Sequence, residues 1–543
     1  MRVYLCLFFA LSYNFLISQN TVGTISITDG VHKGYTLFST HKKSFLINNC
    51  GQLIKEWTSS YIPGNSVYLL PNGNLLRTGK DESNTSFNFG GSGGIVEIFD
   101  WDGNLLWQYK YSTENYRQHH DVYPMPNGNV LILAATVMTN EEAVQAGRNP
   151  SITSGNLFNE QIIEVTPIGN SDANIVWEWN VKDHLIQDFD DEKDNFGVIA
   201  DHSEKLDINF LNGGNGSANW LHCNSLQYNK ELDQIILSSR NLSEFWIIDH
   251  STTTEEAKLN TGGLYGKGGD FLYRWGNPQS YKQGDEDDRK LFGQHYPHYV
   301  SETGTENDGK IIVFNNGFGR DPVFSEVLIF SPPTTNTGVY SSTPNAAFGP
   351  ESIDYSYSDS TSSPSSFFSA IVSSAQVLPN NNILICEGIN GRFFELDENN
   401  NIVWEYTNPV SNDGEISTQF ESSHTTNLTF RAIKYNLDYS AFEGKELSPG
   451  NPIENDFNLE PCQTLSTEYI NLETLAFYPN PTKNVVNLNK QMDKIEVYTI
   501  LGSKITNIYN SKEIDLSNYS SGVFLIKAFF EGKSITKRII KTN

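Results

Sequence analysis

The feature that most restricts this chain is a double hairpin that recurs along most of its length. Its first half is a β-rich run, a tight polar turn and a second β-rich run. Examples are SVYLLPNGNLLRTG (66–79), DVYPMPNGNVLILA (121–134), SLQYNKELDQIILSSR (225–240) and AQVLPNNNILICEG (375–388). HYVSETGTENDGKIIVFNNG (298–317) has the same form with a longer turn. Asn-Gly and Asp-Gly between apolar runs are hairpin signals because both residues tolerate positive φ. A second hairpin ending in an aromatic strand usually follows, as in IVEIFDWDGNLLWQY (95–109), IIEVTPIGNSDANIVWEW (162–179) and RFFELDENNNIVWEY (392–406). FLINNCGQLIKEW (45–57) is an early copy, and FWIIDHSTTTEEAKL (245–259) a stretched one. Two hairpins make a four-stranded sheet, and a series of such sheets is the signature of a β-propeller. The units fall near 33–57, 66–109, 120–179, 222–275, 295–349 and 371–407, which predicts six blades. A strand near 428–435 is placed to close the ring against the first blade. An array of β-sandwiches fits the double-hairpin period less well.

The two ends differ from this body. MRVYLCLFFALSYNFLISQN has a basic Arg2 and a short apolar run, the pattern of a secretory signal peptide over residues 1–19. No later apolar run is long enough to span a bilayer, so the mature chain is not expected to be an integral membrane protein. The propeller is assigned to 20–440, a linker to 441–471 and a small β-sandwich to 472–543. Charge divides the same way. The stretch from Leu472 onward holds 10 Lys and Arg against 6 Asp and Glu, whereas the rest holds 27 against 58. With a net charge of −27, the chain is a poor partner for nucleic acid. Cys50, Cys223, Cys386 and Cys462 are far apart and suggest neither a disulfide framework nor a zinc site.

Propellers carry their sites on the central axis, at the ends of the innermost strands. Counting six residues back from the proline of each Pro-Asn turn gives His120 from Pro126, Asn65 from Pro71 and Ser373 from Pro379. The fourth and fifth units lack that proline but open with His222 and His295. These three histidines should converge. Arg240, at the end of LSSR, points back to the same end of the axis as His222. Asn224 lies two residues beyond His222, on the same strand face. An Arg fork, an Asn amide and several imidazoles make a cradle for a tetrahedral oxyanion. The candidate site lacks the Asp/Glu cluster of a calcium-driven propeller, a G-x-S-x-G elbow and a P-loop, so neither metal nor cofactor is expected.

These residues also carry a resemblance. HHDVYPMPNGNVLIL, NWLHCNSLQYN…IILSSRNLSEFWIID, LYRWGNPQSY…LFGQHYPHY…IIVFNNGFGR and AQVLPNNNILICEGINGRFFEL, with NIVWEY, resemble bacterial arylsulfate sulfotransferases. The likeness runs from about residue 30 to 436, and H-x-N…S-S-R, from His222 to Arg240, is its most specific part. It implies a six-bladed propeller that moves a sulfuryl group from a phenolic sulfate donor to a phenolic acceptor, without a nucleotide sulfate. It implies His295 as nucleophile, His120 and His222 as supporting histidines, and Asn224 and Arg240 as anion-binding residues. His119 adjoins His120 and competes for its place, though the repeat register favours His120. A family threonine near the end of the propeller matches Thr425, Thr426 or Thr429 equally. Two departures stand out. Tyr296-Pro297 follows His295 where related chains often carry Asp, and acidic loops occupy Asp188–Asp194 and Asp285–Arg289.

The C-terminal stretch resembles the type A sorting domain of the type IX secretion system of Bacteroidetes. The matching residues are Tyr478-Pro479-Asn480-Pro481, Leu501-Gly502, Gly522 to Lys527 and the basic Lys537-Arg538-Ile539-Ile540-Lys541. That implies export across the outer membrane by that machinery, to the surface or the medium.

The expected chemistry is ping-pong transfer through a sulfohistidine on His295. His222 or His120 would handle the phenol proton, and Arg240 and Asn224 would hold the sulfuryl oxygens. Tyr296, Phe318 and Trp220 are candidates to flank the aryl ring. The alternative is a secreted, non-catalytic propeller that binds sulfated glycans or other surface ligands. A quinoprotein-type oxidoreductase is a third class, for which the sequence offers no calcium site.

Overall fold

The computed structural model describes residues 20–153, 155–214, 216–359, 366–421, 426–459, 462, 475–500, 502–530 and 533–542. The signal-peptide assignment, Thr425 and Leu501 lie outside them. The chain divides into two compact units, Met1–Cys462 and Gln463–Asn543.

The β-runs of the larger unit are nearly continuous in apolar residues because both faces of each strand are covered. In Ile311–Asn315, Ile311 and Val313 pack towards the fourth sheet while Ile312 and Phe314 pack towards the sixth. This is the period-two alternation of a strand, with apolar neighbours on both sides. Six such sheets follow one another, each of four or five antiparallel strands. Their innermost strands are Ala432–Asn436, Pro63–Leu69, Tyr116–Pro124, Cys223–Asn229, His295–Tyr299 and Ser374–Val377. Six apolar cores fill the six gaps between neighbouring sheets, including the gap between last and first. The result is a closed ring, a β-propeller.

The aromatic strands that end the repeats have a positional role. Trp57, Trp107, Trp179, Trp275 and Trp404 each donate their indole N–H to a backbone carbonyl of the following sheet, at 2.7–3.0 Å. A buried indole needs such an acceptor, so each tryptophan packs and pins at once.

Closure uses both ends of the ring's chain. Ala432–Asn436 becomes the innermost strand of the first sheet, beside Gly34–Thr40. Gly23–Ile27 joins the outer edge of the sixth sheet, beside Ile402–Thr407. Two expectations are corrected here. Residues 441–459, assigned to a linker, lie against the ring: Phe442 is buried in the core between the first two sheets, and Leu53 exchanges backbone bonds with Gly450 and Asn451. Cys50 and Cys462 form a disulfide across 412 positions of sequence. Residues 441–459 run back along the first sheet, which carries Cys50, and no spacing rule reveals that path. Cys223 and Cys386 are free and buried.

The smaller unit is a five-stranded antiparallel network built on the long strands Val485–Thr499 and Lys504–Asp515. Val486, Ile495, Val497, Ile514, Ile526 and Ile539 form its core.

Candidate active site

Three innermost strands carry an irregularity at or beside their histidines. The ladder slips near His120, Asn224 and Tyr296. His120, His222 and Tyr296 have φ of 49°, 49° and 54°, the left-handed region that non-glycine residues seldom adopt. In the third and fourth sheets the left-handed residue is the histidine. In the fifth it is Tyr296, one position beyond His295, so the equivalence of the three histidines is looser than the repeat count implies.

They still converge. The rings of His120 and His222 lie 4.9 Å apart, and the ring of Phe430 lies 6.3 Å from His120 and 6.5 Å from His295. Phe89, from a loop of the second sheet, lies within 6.4 Å of His120 and 6.3 Å of His222. Gly91 is needed in that loop: its φ is +82°, and a Cβ there would lie 2.1 Å from Nε2 of His120. Arg240 donates its backbone N–H to the carbonyl of His222 at 3.2 Å, and its cation acts on both His222 and His295.

The hydrogen bonds give each imidazole a different environment. Nδ1 of His295 is 2.7 Å from Oδ1 of Asn316. Asn316 donates its amide hydrogens to the carbonyls of Ser369 and Val372, at 2.7 and 2.9 Å, so its oxygen must face the ring. The proton of neutral His295 therefore sits on Nδ1 and the lone pair on Nε2. Nδ1 of His222 lies 2.7 Å from the side-chain amide of Asn219. Nδ1 of His120 lies 2.9 Å from Nδ1 of His119, whose Nε2 lies 2.9 Å from Oε2 of Glu160. His120 therefore meets the other axis histidines, and His119 turns back into the protein.

Charge is lopsided here. Burial and the Arg240 cation push both His222 and His295 down to about 3. Burial, His222, His119, His295 and Arg240 push His120 well below the ordinary range. The axis histidines are thus neutral at ordinary pH. Arg240 is half-buried, with only long bonds of 3.3 and 3.4 Å to Asn241 and the Ala370 carbonyl, and no described carboxylate pairs with it. A cation without a carboxylate partner beside neutral imidazoles has the chemistry to receive an anion. Among the described residues no group of His, Cys, Asp and Glu could hold a metal ion.

Other expected residues take different places. Asn224 is fully buried and donates to the Gln294 carbonyl at 2.7 Å, so it ties its strand to the peptide before His295 instead of facing an anion. Tyr296 is also displaced: its left-handed backbone turns it under Arg431, whose guanidinium lies 3.7 Å from the ring centroid. It lines a separate cavity of about 1070 Å³ at the other end of the inner strands. Phe318 and Trp220 line a cavity of about 400 Å³ that contains Arg240, and the Arg240 guanidinium sits 4.8 Å from the Phe318 ring. Thr429 is buried with its hydroxyl 3.2 Å from the Asn408 amide, and Thr426 is exposed.

Sequence reasoning missed Asn316, Asn219, Glu160, Phe89 and Arg431. Asn316 sits in FNNG, where it passes for a turn residue. Arg431 pairs with Asp121 at 2.8 Å beneath the histidines, and its neighbour Phe430 closes the site's flank.

Comparison with known proteins places this site in context. Residues 35–431 match the family model described as arylsulfotransferase (ASST). Residues 476–542 match the secretion system C-terminal sorting domain, which marks the chain for export to the cell surface or secretion. No curated relative matches the chain. Among solved structures, a protein of unknown function from Bacteroides caccae aligns at 11% identity over 74% of this chain and 98% of its own, with a TM-score of 0.38. A streptogramin B lyase aligns at 11% identity over 77% of this chain and 94% of its own, with a TM-score of 0.32. A virginiamycin B lyase from Staphylococcus aureus, solved with quinupristin, aligns at 9% identity over 72% and 88%, also at 0.32. Likenesses this loose say nothing about what this chain does. Among the described residues no helix is long and apolar enough to cross a membrane.

Proposed function

The chain belongs to the arylsulfotransferase family across residues 35–431, and on that premise we propose ping-pong transfer of a sulfuryl group from a phenolic sulfate to a phenol, through a sulfohistidine on His295. One observation carries the reading. Asn316 holds the His295 proton on Nδ1 and leaves Nε2 as the nucleophile. In the first half-reaction the Nε2–S bond forms as the S–O bond to the aryl group breaks, and a phenolate leaves. The sulfated ring is cationic, so its Nδ1–H bond to Asn316 becomes charge-assisted and stronger. In the second half-reaction a phenol oxygen takes the sulfuryl group and the N–S bond breaks. The step is split into two easier ones.

Arg240 holds the sulfuryl oxygens, which remain anionic throughout. Such a donor is worth about 3–4 kcal/mol at a transition state. Asn224 acts at one remove, through the Gln294 peptide. His120 or His222 protonates the leaving phenolate and takes the proton of the incoming phenol. The aryl group lies in the cavity of about 400 Å³ against Phe318 and Trp220. In domain terms the transferase is the ring unit extended to Cys462, followed by the sorting domain.

The test is intact mass after brief mixing with 4-nitrophenyl sulfate, with and without added phenol. The wild type should gain one sulfuryl group on His295 and lose it to phenol. Phenol release with no acceptor dependence points to hydrolysis instead. Stable binding of a sulfated ligand without labelling points to the non-catalytic alternative.

A further inference from the structure

Behind His120 stands a buried chain of groups that the reaction as written does not use. Glu160, His119 and His120 are each at most 3% exposed. Oε2 of Glu160 meets Nε2 of His119 at 2.9 Å, and Nδ1 of His119 meets Nδ1 of His120 at 2.9 Å. The other oxygen of Glu160 accepts the backbone N–H of Cys223 at 2.9 Å, so the carboxylate is held between the third and fourth sheets. We propose that Glu160 and His119 form a proton relay that makes His120, and not His222, the acid–base group of the transfer. This rests on the sulfohistidine reading above.

The direction of each bond follows from what each group can donate. A carboxylate only accepts, so His119 carries a proton on Nε2. In its neutral form His119 then offers Nδ1 as an acceptor to the Nδ1–H of His120. His120 is left with its lone pair on Nε2, the state of a base. When a phenol attacks the sulfohistidine, its O–S bond forms, the N–S bond breaks and its proton passes to Nε2 of His120. The Nδ1 proton of His120 moves to Nδ1 of His119. His119 is now an imidazolium against Glu160, and His120 is neutral with its proton on Nε2. The next donor reverses the sequence: the leaving phenolate takes the proton from Nε2 of His120, and His119 returns a proton to Nδ1.

The relay answers a local electrostatic problem. A positive charge resting on His120 would face Arg240, His222 and His295 in a dry site. Two hydrogen bonds carry that charge to a carboxylate instead. His222 has no such outlet, because its Nδ1 meets the neutral amide of Asn219, which cannot take up charge. Glu160 and His119 are positioning residues in this scheme, since both act through His120.

Glu160→Gln tests it. Glutamine can donate to Nε2 of His119, which moves the His119 proton to Nδ1 and turns His120 into the wrong tautomer. Two rates are read: sulfuryl labelling by 4-nitrophenyl sulfate, whose leaving group needs no proton, and transfer from labelled enzyme to phenol. The expected result is a split, with transfer to phenol falling about 100-fold or more while labelling changes by less than about 3-fold. Labelling by unsubstituted phenyl sulfate should fall with the transfer rate, and Glu160→Asp should restore part of it. Equal loss of both rates with 4-nitrophenyl sulfate, or retention of both, overturns the relay. If Glu160→Gln does not fold, His119→Gln poses the same question with the same expected split. Failure of the wild type to label at all overturns the sulfohistidine reading itself, and the relay with it.

Discussion

Two sets of buried histidines in this ring have opposite chemistry. At the axis, His222 and His295 face amides and the Arg240 cation, and both are pushed down to about 3. Between the third and fourth sheets, His250 stands 2.7 Å from Asp233 and 3.0 Å from Glu164 and is raised to about 9. All are largely buried, so burial alone does not decide the outcome. The neighbour does. Two carboxylates in hydrogen-bond contact make His250 a charge that holds sheets together; amides and the Arg240 cation leave His222 and His295 neutral. The arginines repeat the contrast. Arg431 is clasped by Asp121 at 2.8 Å and raised above its ordinary range, and Arg240 has no acidic partner among the described residues.

The contrast can be broken at several points. His295→Ala should abolish labelling by an aryl sulfate and reduce transfer at least ~10³-fold, measured as phenol-dependent release of nitrophenol. Retained transfer would remove His295 as nucleophile. The two arginines should dissociate. Arg240→Met is expected to cut kcat/KM about 10²-fold with the melting temperature unchanged or slightly raised, because it deletes a cation with no partner. Arg431→Met strands the Asp121 carboxylate and should cost about 3–5 kcal/mol of stability in a denaturant titration. Equal effects of the two on stability would erase the distinction.

Asn316→Asp gives His295 the kind of neighbour that His250 has. The acid limb of the transfer rate should then move up by about one pH unit or more. An unmoved limb would mean that Asn316 does not control this ring. The smallest effect is on stability against pH. The raised His250 stabilises fully below its unfolded value of 6.5 and loses that contribution as pH rises through about 9. The lowered axis histidines act in the reverse sense, costing stability as pH falls from 6.5 towards about 3. Glu164→Gln should therefore remove about 1–2 kcal/mol at pH 6 and much less at pH 10, seen as a flatter alkaline side of the melting-temperature profile.

The sequence made much of this legible, and the limits have physical reasons. The ring could be read because each strand is covered on both faces and each turn is written in Asn and Gly. His120, His222, His295 and Arg240 could be placed because repeat position maps onto a common axis. Asn316 could not, because an asparagine that orients an imidazole has the same letter as one that makes a turn. Glu160 was hidden in NEQIIEV, where nothing distinguishes an inward carboxylate from an outward one. Asn224 takes a different place because counting residues along a strand assumes a regular ladder, and the ladder slips there; Tyr296, chosen as an aromatic beside His295, is turned away at a slip of the same kind. The pairing of Cys50 with Cys462 depends on a path that only the folded chain reveals.

The closing strand also sets a schedule. The first sheet lacks its innermost strand until Ala432–Asn436 has been made, although its neighbour Gly34–Thr40 emerges near the start. At about 5–20 residues per second, synthesis separates the two by roughly 20–80 s. Through that interval one inner edge of the ring stands open, and an open strand edge is a template for unwanted pairing. Phe430 and Arg431, which flank the histidines from the same late segment, arrive only then. The flank of the axis is therefore completed late, and a chain interrupted before residue 430 lacks Phe430, Arg431 and the strand that closes the ring.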